Sequence, residues 1–242
     1  HAFNTYSLFP VSFYNTDKVK DICKDVFFID NSTSLVLYYC YNVITIKGGR
    51  NMNYDRYPEI RIDGFEAYGH KEDIQAQLMP YKHKESFCMT VECYPGVDDE
   101  VLEMIKEAYD PEVIIRSEDI FYDGETLTQM MQPHLTEDRV RGVMYYGKME
   151  DFVDQDKLET IKKGLNNDQR VLIYGVGASL ISRGDLYIYC DLARWEIQLR
   201  YRQGMPNFKQ HNNDEDSLKK IKRGFFIEWR IADKQKIKMF DE

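Results

Sequence analysis

The chain has 242 residues, of which 43% are hydrophobic and 30% are charged, so it can fold around a substantial core. Its formal net charge of −9 argues against a general nucleic-acid-binding protein, which normally presents a basic face. The segment 194–238 has twice as many basic as acidic residues, which is compatible with a small anionic ligand there.

From residue 54 onward, strand-like and helix-like patterns alternate, which predicts a three-layer α/β domain with a mainly parallel sheet. Short apolar or alternating segments predict the strands, and a 3.6-residue periodicity predicts the helices. In chain order these elements are a strand at 59–62, a helix at 71–78, a strand at 87–92, a helix at 98–109, a strand at 113–116, helices at 124–132 and 154–163, strands at 171–174 and 186–189, a helix at 192–202 and a strand at 224–231.

The cysteine and histidine patterns indicate neither disulfides nor a metal site. The five cysteines form no CxxC pair, and the five histidines show no i, i+4 spacing. We therefore expect a reducing, cytoplasmic environment and no metal ligand set in this chain. An apolar segment at 34–46 is too short to span a membrane and lacks a signal-peptide cleavage pattern.

The first candidate site is the segment TVECYPGVDDEVL at 90–102, in which an apolar strand, a turn and a helix follow one another as in phosphate-binding loops. Such a loop needs several glycines, a lysine for the phosphates and a Ser or Thr for the metal ion. Here the turn has one glycine, Gly96, followed by Asp98, Asp99 and Glu100. Three carboxylates would repel a phosphate, so the segment predicts an ordinary strand–turn–helix.

The second candidate is IRSEDIFY at 115–122, where Asp119 and Tyr122 follow a predicted core strand. Open α/β sheets bind ligands at the carboxyl ends of their strands, and Asp119 is placed to act there as a base on a sugar hydroxyl. The alternative is a loop carboxylate that only contacts solvent.

The third candidate, at 174–204, combines a glycine turn with an arginine-bearing helix. Gly175 and Gly177 predict a tight turn with exposed backbone N–H groups, and Arg194, Arg200 and Arg202 carry guanidinium groups suited to phosphate. The alternative is a plain turn followed by a salt-bridged helix surface, because a single GxG is a weak signal.

In this order, the segments resemble the uridine kinase branch of the P-loop kinases. The DxFY motif from Asp119 to Tyr122 is similar to that family's substrate-site Asp motif, and DLYIYCDLARWEIQLRYRQG is similar to its strand and arginine-bearing lid helix. The chain departs from the family because no GK[ST] occurs between residues 87 and 102. The resemblance therefore implies a kinase-like fold without a functional P-loop.

A longer set of motifs resembles the N-terminal domain of long bacterial class I mannose-6-phosphate isomerases. The motifs are NYDRYPEI, VECYPGVDDE, LTEDRVRGVMYYGKMEDFVD, IYGVGASL, CDLARWEIQLRYRQG and KRGFFIEWRIADK. In those proteins a kinase-like domain precedes a cupin domain that holds the catalytic zinc. The resemblance implies a kinase-like domain at 52–242, truncated before the cupin, with zinc expected only in that missing domain and no cofactor in this chain.

Three functions follow from these resemblances. The preferred one is a non-catalytic, kinase-like accessory domain of an isomerase-like protein. It would bind a phosphorylated sugar or nucleotide near Asp119, Tyr122, Gly175, Gly177, Arg194, Arg200 and Arg202, with the cupin domain as its partner and no nucleic acid or membrane partner. The alternatives are an active phosphotransferase with Asp119 as base, and an interaction domain without a ligand.

Residues 1–51 are expected to lie outside the domain. The resemblance begins at Asn53, directly after Met52, and KGGRN at 47–51 can be encoded by codons that contain a purine-rich ribosome-binding sequence. We therefore expect 1–51 to be translated upstream DNA that makes few contacts with the domain. The alternative is a genuine N-terminal extension with a strand at 34–46.

Overall fold

The computed structural model describes residues 26–30, 35–38, 68, 70–166 and 168–241, with 26–30, 35–38 and 240–241 described by their backbone alone. A six-stranded sheet organises this part of the chain. Its strands are β1 (Val26–Asp30), β2 (Leu35–Tyr38), β3 (Phe87–Cys93), β4 (Val113–Arg116), β5 (Arg170–Gly175) and β6 (Leu186–Asp191). They stand in the order β2-β1-β6-β3-β5-β4. The strand predicted at 59–62 lies outside the described residues.

Four of the strands, β6-β3-β5-β4, are mutually parallel, which confirms the α/β prediction. Strand β3 is central, and its register pairs Glu92 with Gly175 of β5 and with Tyr189 of β6. All four carboxyl ends therefore lie at one edge of the sheet. Open α/β sheets bind ligands at this edge, so the functional site is sought there.

The first two strands add an antiparallel pair beside β6. Strand β1 pairs with β6 along its full length, from Val26 opposite Asp191 to Asp30 opposite Tyr187, and β2 pairs with the other side of β1. The expectation that residues 1–51 make few contacts with the domain is therefore wrong for 26–30, whereas the pairing of 35–38 is with β1. The proposed translation start at Met52 stays a prediction.

Helices pack on both faces of the sheet because successive strand residues point to opposite sides. Val171 and Ile173 of β5 belong to one core, whereas Leu172 and Tyr174 belong to the other. The helices are α1 (Lys71–Leu78), α2 (Asp99–Tyr109), α3 (Gly124–Met131), α4 (Gln155–Gly164), α5 (Ala178–Ile181), α6 (Arg194–Arg202), α7 (Ser217–Arg223) and α8 (Trp229–Asp241). Helices α1 and α2 contribute to one core, and α3 to α6 and α8 contribute to the other.

Helix α2 shows how local sequence sets these boundaries. The Asp98 side chain accepts a hydrogen bond from the Glu100 N–H at 3.2 Å and so caps the first turn. The helix ends at Asp110, whose backbone is left-handed with φ of 55°. Between these ends, Val101, Leu102 and Ile105 form a buried stripe against the sheet.

The strand predicted at 224–231 is wrong, because the chain there is helical. Residues Gly224–Glu228 form a π-helical turn that runs directly into α8. The apolar residues of GFFIEWRI alternate along the sequence, which imitates a strand. A π turn adds one residue to the helical repeat, so the buried positions Ile227, Trp229 and Ile231 fall out of the 3.6-residue period.

A buried ion pair closes the π turn. The Glu228 side chain is 2% exposed and accepts a hydrogen bond from Arg223 Nε at 2.7 Å. The side-chain amide of Asn207 donates to the other carboxylate oxygen of Glu228 at 3.0 Å, and Arg223 Nη1 donates to Thr128 Oγ1 at 3.0 Å. This pair therefore joins α3, α7, the π turn and the loop after α6.

Candidate functional site

The turn after β5 is held by a buried carboxylate at the end of β3. Glu92 Oε1 accepts a hydrogen bond from the Gly177 N–H at 2.6 Å. Its other oxygen accepts from the Ser179 N–H at 2.8 Å and from the Ser179 hydroxyl at 2.7 Å. Gly177 has φ of 79°, which turns its N–H toward Glu92 without a side-chain clash. The N–H groups of Gly177 and Ser179 are thus occupied by the protein's own carboxylate.

A second carboxylate closes the same turn from β4. The Val176 N–H donates to Glu118 Oε1 at 3.4 Å, and the Ser117 hydroxyl donates to the Val176 carbonyl at 2.8 Å. Gly175, with φ of 125°, leaves the space that this approach needs, because a Cβ there would overlap the Glu118 carboxylate. The glycine turn is a packed junction between β3, β4 and β5.

Burial changes the acidity of both carboxylates. Desolvation raises the pKa of Glu92 to about 7 against the lowering effect of its hydrogen bonds to Ser179 and Gly177. Desolvation likewise raises the pKa of Glu118. The Ser179 hydroxyl, which donates to Glu92, also receives a hydrogen bond from Gln235 Nε2 at 2.8 Å.

We expect the free energy of unfolding to fall as the pH rises from about 4.5 to about 7. The pKa of Glu92 rises on folding from 4.5 to about 7, so the folded state binds this proton more tightly. The stabilisation from this proton is fully present below the unfolded-state pKa, and it is lost as the pH rises through the folded-state pKa. The free energy of unfolding should fall by about 3 kcal/mol over this range. Urea unfolding at several pH values measures it, and Glu92→Gln should flatten the profile. An unchanged profile in that variant would contradict the assignment.

The β3–α2 turn, where a P-loop kinase holds phosphate, is also occupied by internal contacts. Asp98 caps α2, and Arg116 binds the Asp99 carboxylate through Nη1 at 2.9 Å and Nη2 at 3.2 Å. The Gly96 carbonyl accepts from Arg200 Nη1 at 2.8 Å. These contacts agree with the prediction of an ordinary strand–turn–helix at this segment.

The three predicted ligand-binding arginines have structural partners. Arg194 pairs with Asp233 and lies over the Trp229 ring at 5.8 Å. Arg200 binds the Gly96 carbonyl, and its Nε donates to Glu196 at 2.9 Å. Arg202 donates to the Gln198 carbonyl at 3.0 Å and lies over the Trp195 ring at 5.7 Å. The Arg194–Asp233 pair joins α6 to α8, and Arg200 joins it to the β3–α2 turn, whereas the Arg202 contacts lie within α6. Together they favour the salt-bridged-helix alternative.

Asp119 lies at the same edge as the glycine turn, as predicted, but it faces a separate cleft. It is exposed in the 3₁₀ turn Ser117–Ile120, and no described residue donates a hydrogen bond to its carboxylate. The open cleft beside it has a volume of about 370 Å³ and is lined by Asp119, Asp156, Lys157, Thr160 and Ile161. Tyr122 is half-buried and packs against the hydrophobic core. Of the seven predicted ligand-binding residues, only Asp119 lines this cleft.

The sequence did not indicate that two lysines, Lys157 and Lys209, lie near Asp119. Lys157 Nζ and Lys209 Nζ both donate to the Phe121 carbonyl, at 3.3 Å and 3.4 Å. Lys209 Nζ also donates to the Glu118 carbonyl at 2.8 Å. They lie 52 residues apart in the chain, in segments without a recognisable motif, so nothing in the sequence links them. Glu92 did carry a signal, since a glutamate among the apolar residues of a core strand needs a partner.

The described residues contain no group of three or more His, Cys, Asp or Glu side chains arranged for a metal ion. Cys88, Cys93 and Cys190 are free thiols, and burial raises the pKa of Cys88. Among the described helices, none has the length and apolar character that a bilayer crossing requires.

A protein-family model described as a domain of unknown function, DUF8485, matches residues 70–242. No curated protein and no solved structure matches the chain. The matched residues include the four parallel strands and every residue of the Asp119 cleft.

Proposed function

The chain belongs to the DUF8485 family, and from the geometry of its sheet edge we propose that it is a non-catalytic, kinase-like accessory domain. The observation that carries this proposal is the internal closure of the phosphate position. Glu92 occupies the N–H groups of the glycine turn, and Asp98 caps the helix that would face a phosphate. A nucleoside triphosphate would have to displace the Glu92 and Asp98 carboxylates, which hydrogen bonds hold in place.

The order of the parallel strands supports the kinase-like part of the proposal. Counted along the chain, they stand 2-3-1-4 across the sheet, because β4, β5, β3 and β6 are neighbours in that order. The central strand is thus the one followed by the β3–α2 turn, as the phosphate-loop strand is central in P-loop kinases. Helix α6, which follows β6, corresponds to the lid helix in the resemblance.

We further propose that the full protein resembles a class I mannose-6-phosphate isomerase, whose zinc-holding cupin domain is this domain's partner. Five of the six motifs of the isomerase resemblance, all except NYDRYPEI at 53–60, fall within the family match, and they include the β3–α2 turn, the glycine turn and α6. The domain would then serve sugar-phosphate metabolism without performing the isomerisation itself.

We expect the purified chain to show no catalysis in two assays. ATP hydrolysis and phosphoryl transfer, measured with a panel of sugars and nucleosides plus Mg²⁺, should equal the no-protein control, because the β3–α2 turn has no lysine and only one glycine. Mannose 6-phosphate isomerisation should equal a zinc-only control.

Turnover that disappears in Asp119→Asn would instead support the active phosphotransferase with Asp119 as base. Isomerisation above the zinc-only control would contradict the accessory role. Thr160→Ala serves as a matched control in the first assay, because Thr160 lines the same cleft but carries no ionisable group.

A further inference from the structure

Lys209 has an unusual backbone conformation that no helix end explains. Its φ is 53°, in the left-handed region that a lysine rarely adopts. The other described non-glycine residue with positive φ, Asp110, ends α2, whereas Lys209 is the third residue of the turn 207–210, a position that takes positive φ in several turn types. A lysine adopts this backbone only where its surroundings enforce it.

The loop around Lys209 is held firmly by its neighbours. The Gln210 side chain donates to the Gly124 carbonyl at 2.9 Å and accepts from Thr128 Oγ1 at 3.0 Å. The Lys209 carbonyl approaches Gly124 so closely that a Cβ there would overlap it. The Gln210 N–H closes the turn on the Asn207 carbonyl at 3.0 Å. The ammonium group of Lys209 is therefore positioned before any ligand arrives.

Two ammonium groups are thereby brought together at the Phe121 carbonyl, and one of them, that of Lys157, belongs to a residue that lines the cleft. Lys157 and Lys209 share the Phe121 carbonyl, and each has at least one further N–H donor available. Desolvation lowers the pKa of Lys209, and the charge of Lys157 lowers it further. An added anionic group would relieve this repulsion between like charges.

The charges of the cleft select among ligands. Lys157, Asp119 and Asp156 line the cleft, and Lys209 adds a second positive charge at the Phe121 carbonyl that it shares with Lys157. Lys157 also lies 3.8 Å from the Asp154 carboxylate. A polyphosphate would meet both carboxylates, whereas a single phosphate can lie on the lysines. Hydroxyl groups on the same molecule can donate to the carboxylates. The cleft is large enough for a small molecule of this kind.

We propose that Lys157 and Lys209 bind the phosphate of a small, hydroxyl-bearing monophosphate such as a sugar phosphate, with Asp119 accepting from its hydroxyl groups. This inference deepens the proposed function by naming a ligand class and two residues for the cleft. No bond is made or broken, so the domain binds the ligand and releases it unchanged.

Calorimetric titration of the full chain with mannose 6-phosphate, mannose and inorganic phosphate tests the proposal. Mannose 6-phosphate should bind in the millimolar range or tighter, and Lys157→Gln should weaken it by about tenfold, the loss expected for one charge-assisted contact. Lys209→Asn should do the same, since asparagine tolerates the left-handed backbone. Lys162→Gln, an exposed lysine of the same helix, should leave binding unchanged.

Asp119→Asn should weaken mannose 6-phosphate but not inorganic phosphate. No binding by the wild-type chain, or equal binding by the wild type, Lys157→Gln and Lys209→Asn, would overturn the proposal. Lys157 is exposed, so its variant folds even if Lys209→Asn does not. Neither of these two binding results would change the expected absence of turnover. Failure of the ligand proposal can therefore be distinguished from failure of the accessory-domain proposal.

Discussion

Replacing Glu92 with alanine should lower the free energy of unfolding by about 3 kcal/mol or more. The substitution removes the acceptor for the Gly177 N–H, the Ser179 N–H and the Ser179 hydroxyl. Each buried donor left without an acceptor costs about 1–3 kcal/mol, and relief of the Glu92 desolvation offsets part of this loss. Urea unfolding at about pH 6 measures this loss. At that pH the Glu92 carboxyl of the folded protein is largely protonated, so its burial is least unfavourable.

Two further variants test whether the loss comes from the Glu92 carboxylate: one keeps the side-chain volume, and the other removes an exposed glutamate. Glu92→Gln keeps one acceptor oxygen but presents an NH₂ group to the remaining donors, so its loss should be smaller than that of alanine. Glu159→Ala, an exposed glutamate on α4, should stay within about 0.5 kcal/mol of the wild type. If Glu92→Ala changed stability as little as Glu159→Ala, the role of Glu92 in holding the turn would be refuted.

Breaking the buried pair between Arg223 and Glu228 should have an effect of similar size. Arg223→Met leaves the Glu228 carboxylate in the interior without its cation, which typically costs about 3–5 kcal/mol. The Asn207 amide still donates to Glu228, but an amide cannot balance the charge. Thermal or urea unfolding of the variant measures the loss.

The matched control is the double variant Arg223→Met/Glu228→Met. It removes both charges and keeps apolar volume, so it should recover much of the loss, since buried pairs are often replaceable by hydrophobic residues. A single variant that unfolds within about 1 kcal/mol of the wild type would show that the pair is not closed in solution. A double variant less stable than the single would show that the polar network, not the charge balance, holds the π turn.

Local patterns predicted the core of the fold well because they report on burial. The strands at 87–92, 113–116, 171–174 and 186–189 are short and apolar, and the structure has strands at all four. The apolar stripe and the Asp98 cap predicted the ends of α2 to within one residue of those in the structure. These features depend only on neighbours in the sequence, so they are readable without the fold.

The errors came from features that depend on distant residues or on an irregular repeat. The π turn at Gly224–Glu228 shifts the helical phase, so its aromatic residues imitated a strand. Lys157 and Lys209 meet only because the loop after α6 folds back onto the segment that follows β4. The glycine turn was recognised as a turn, but its N–H groups are taken by Glu92, which precedes it by more than 80 residues.

The fixation of α6 has a consequence for how this domain can transmit a signal. Ile197 and Tyr201 of the helix are buried in the core, and Arg200 binds the Gly96 carbonyl at the β3–α2 turn. A ligand shifts a conformational equilibrium only by its differential affinity for two states, and the element that moves must be able to adopt both. The core residues and the Arg200 contact hold α6 in the one arrangement that the structure shows. If the proposed cupin domain docks against α6, these contacts favour a fixed docking geometry over a switch.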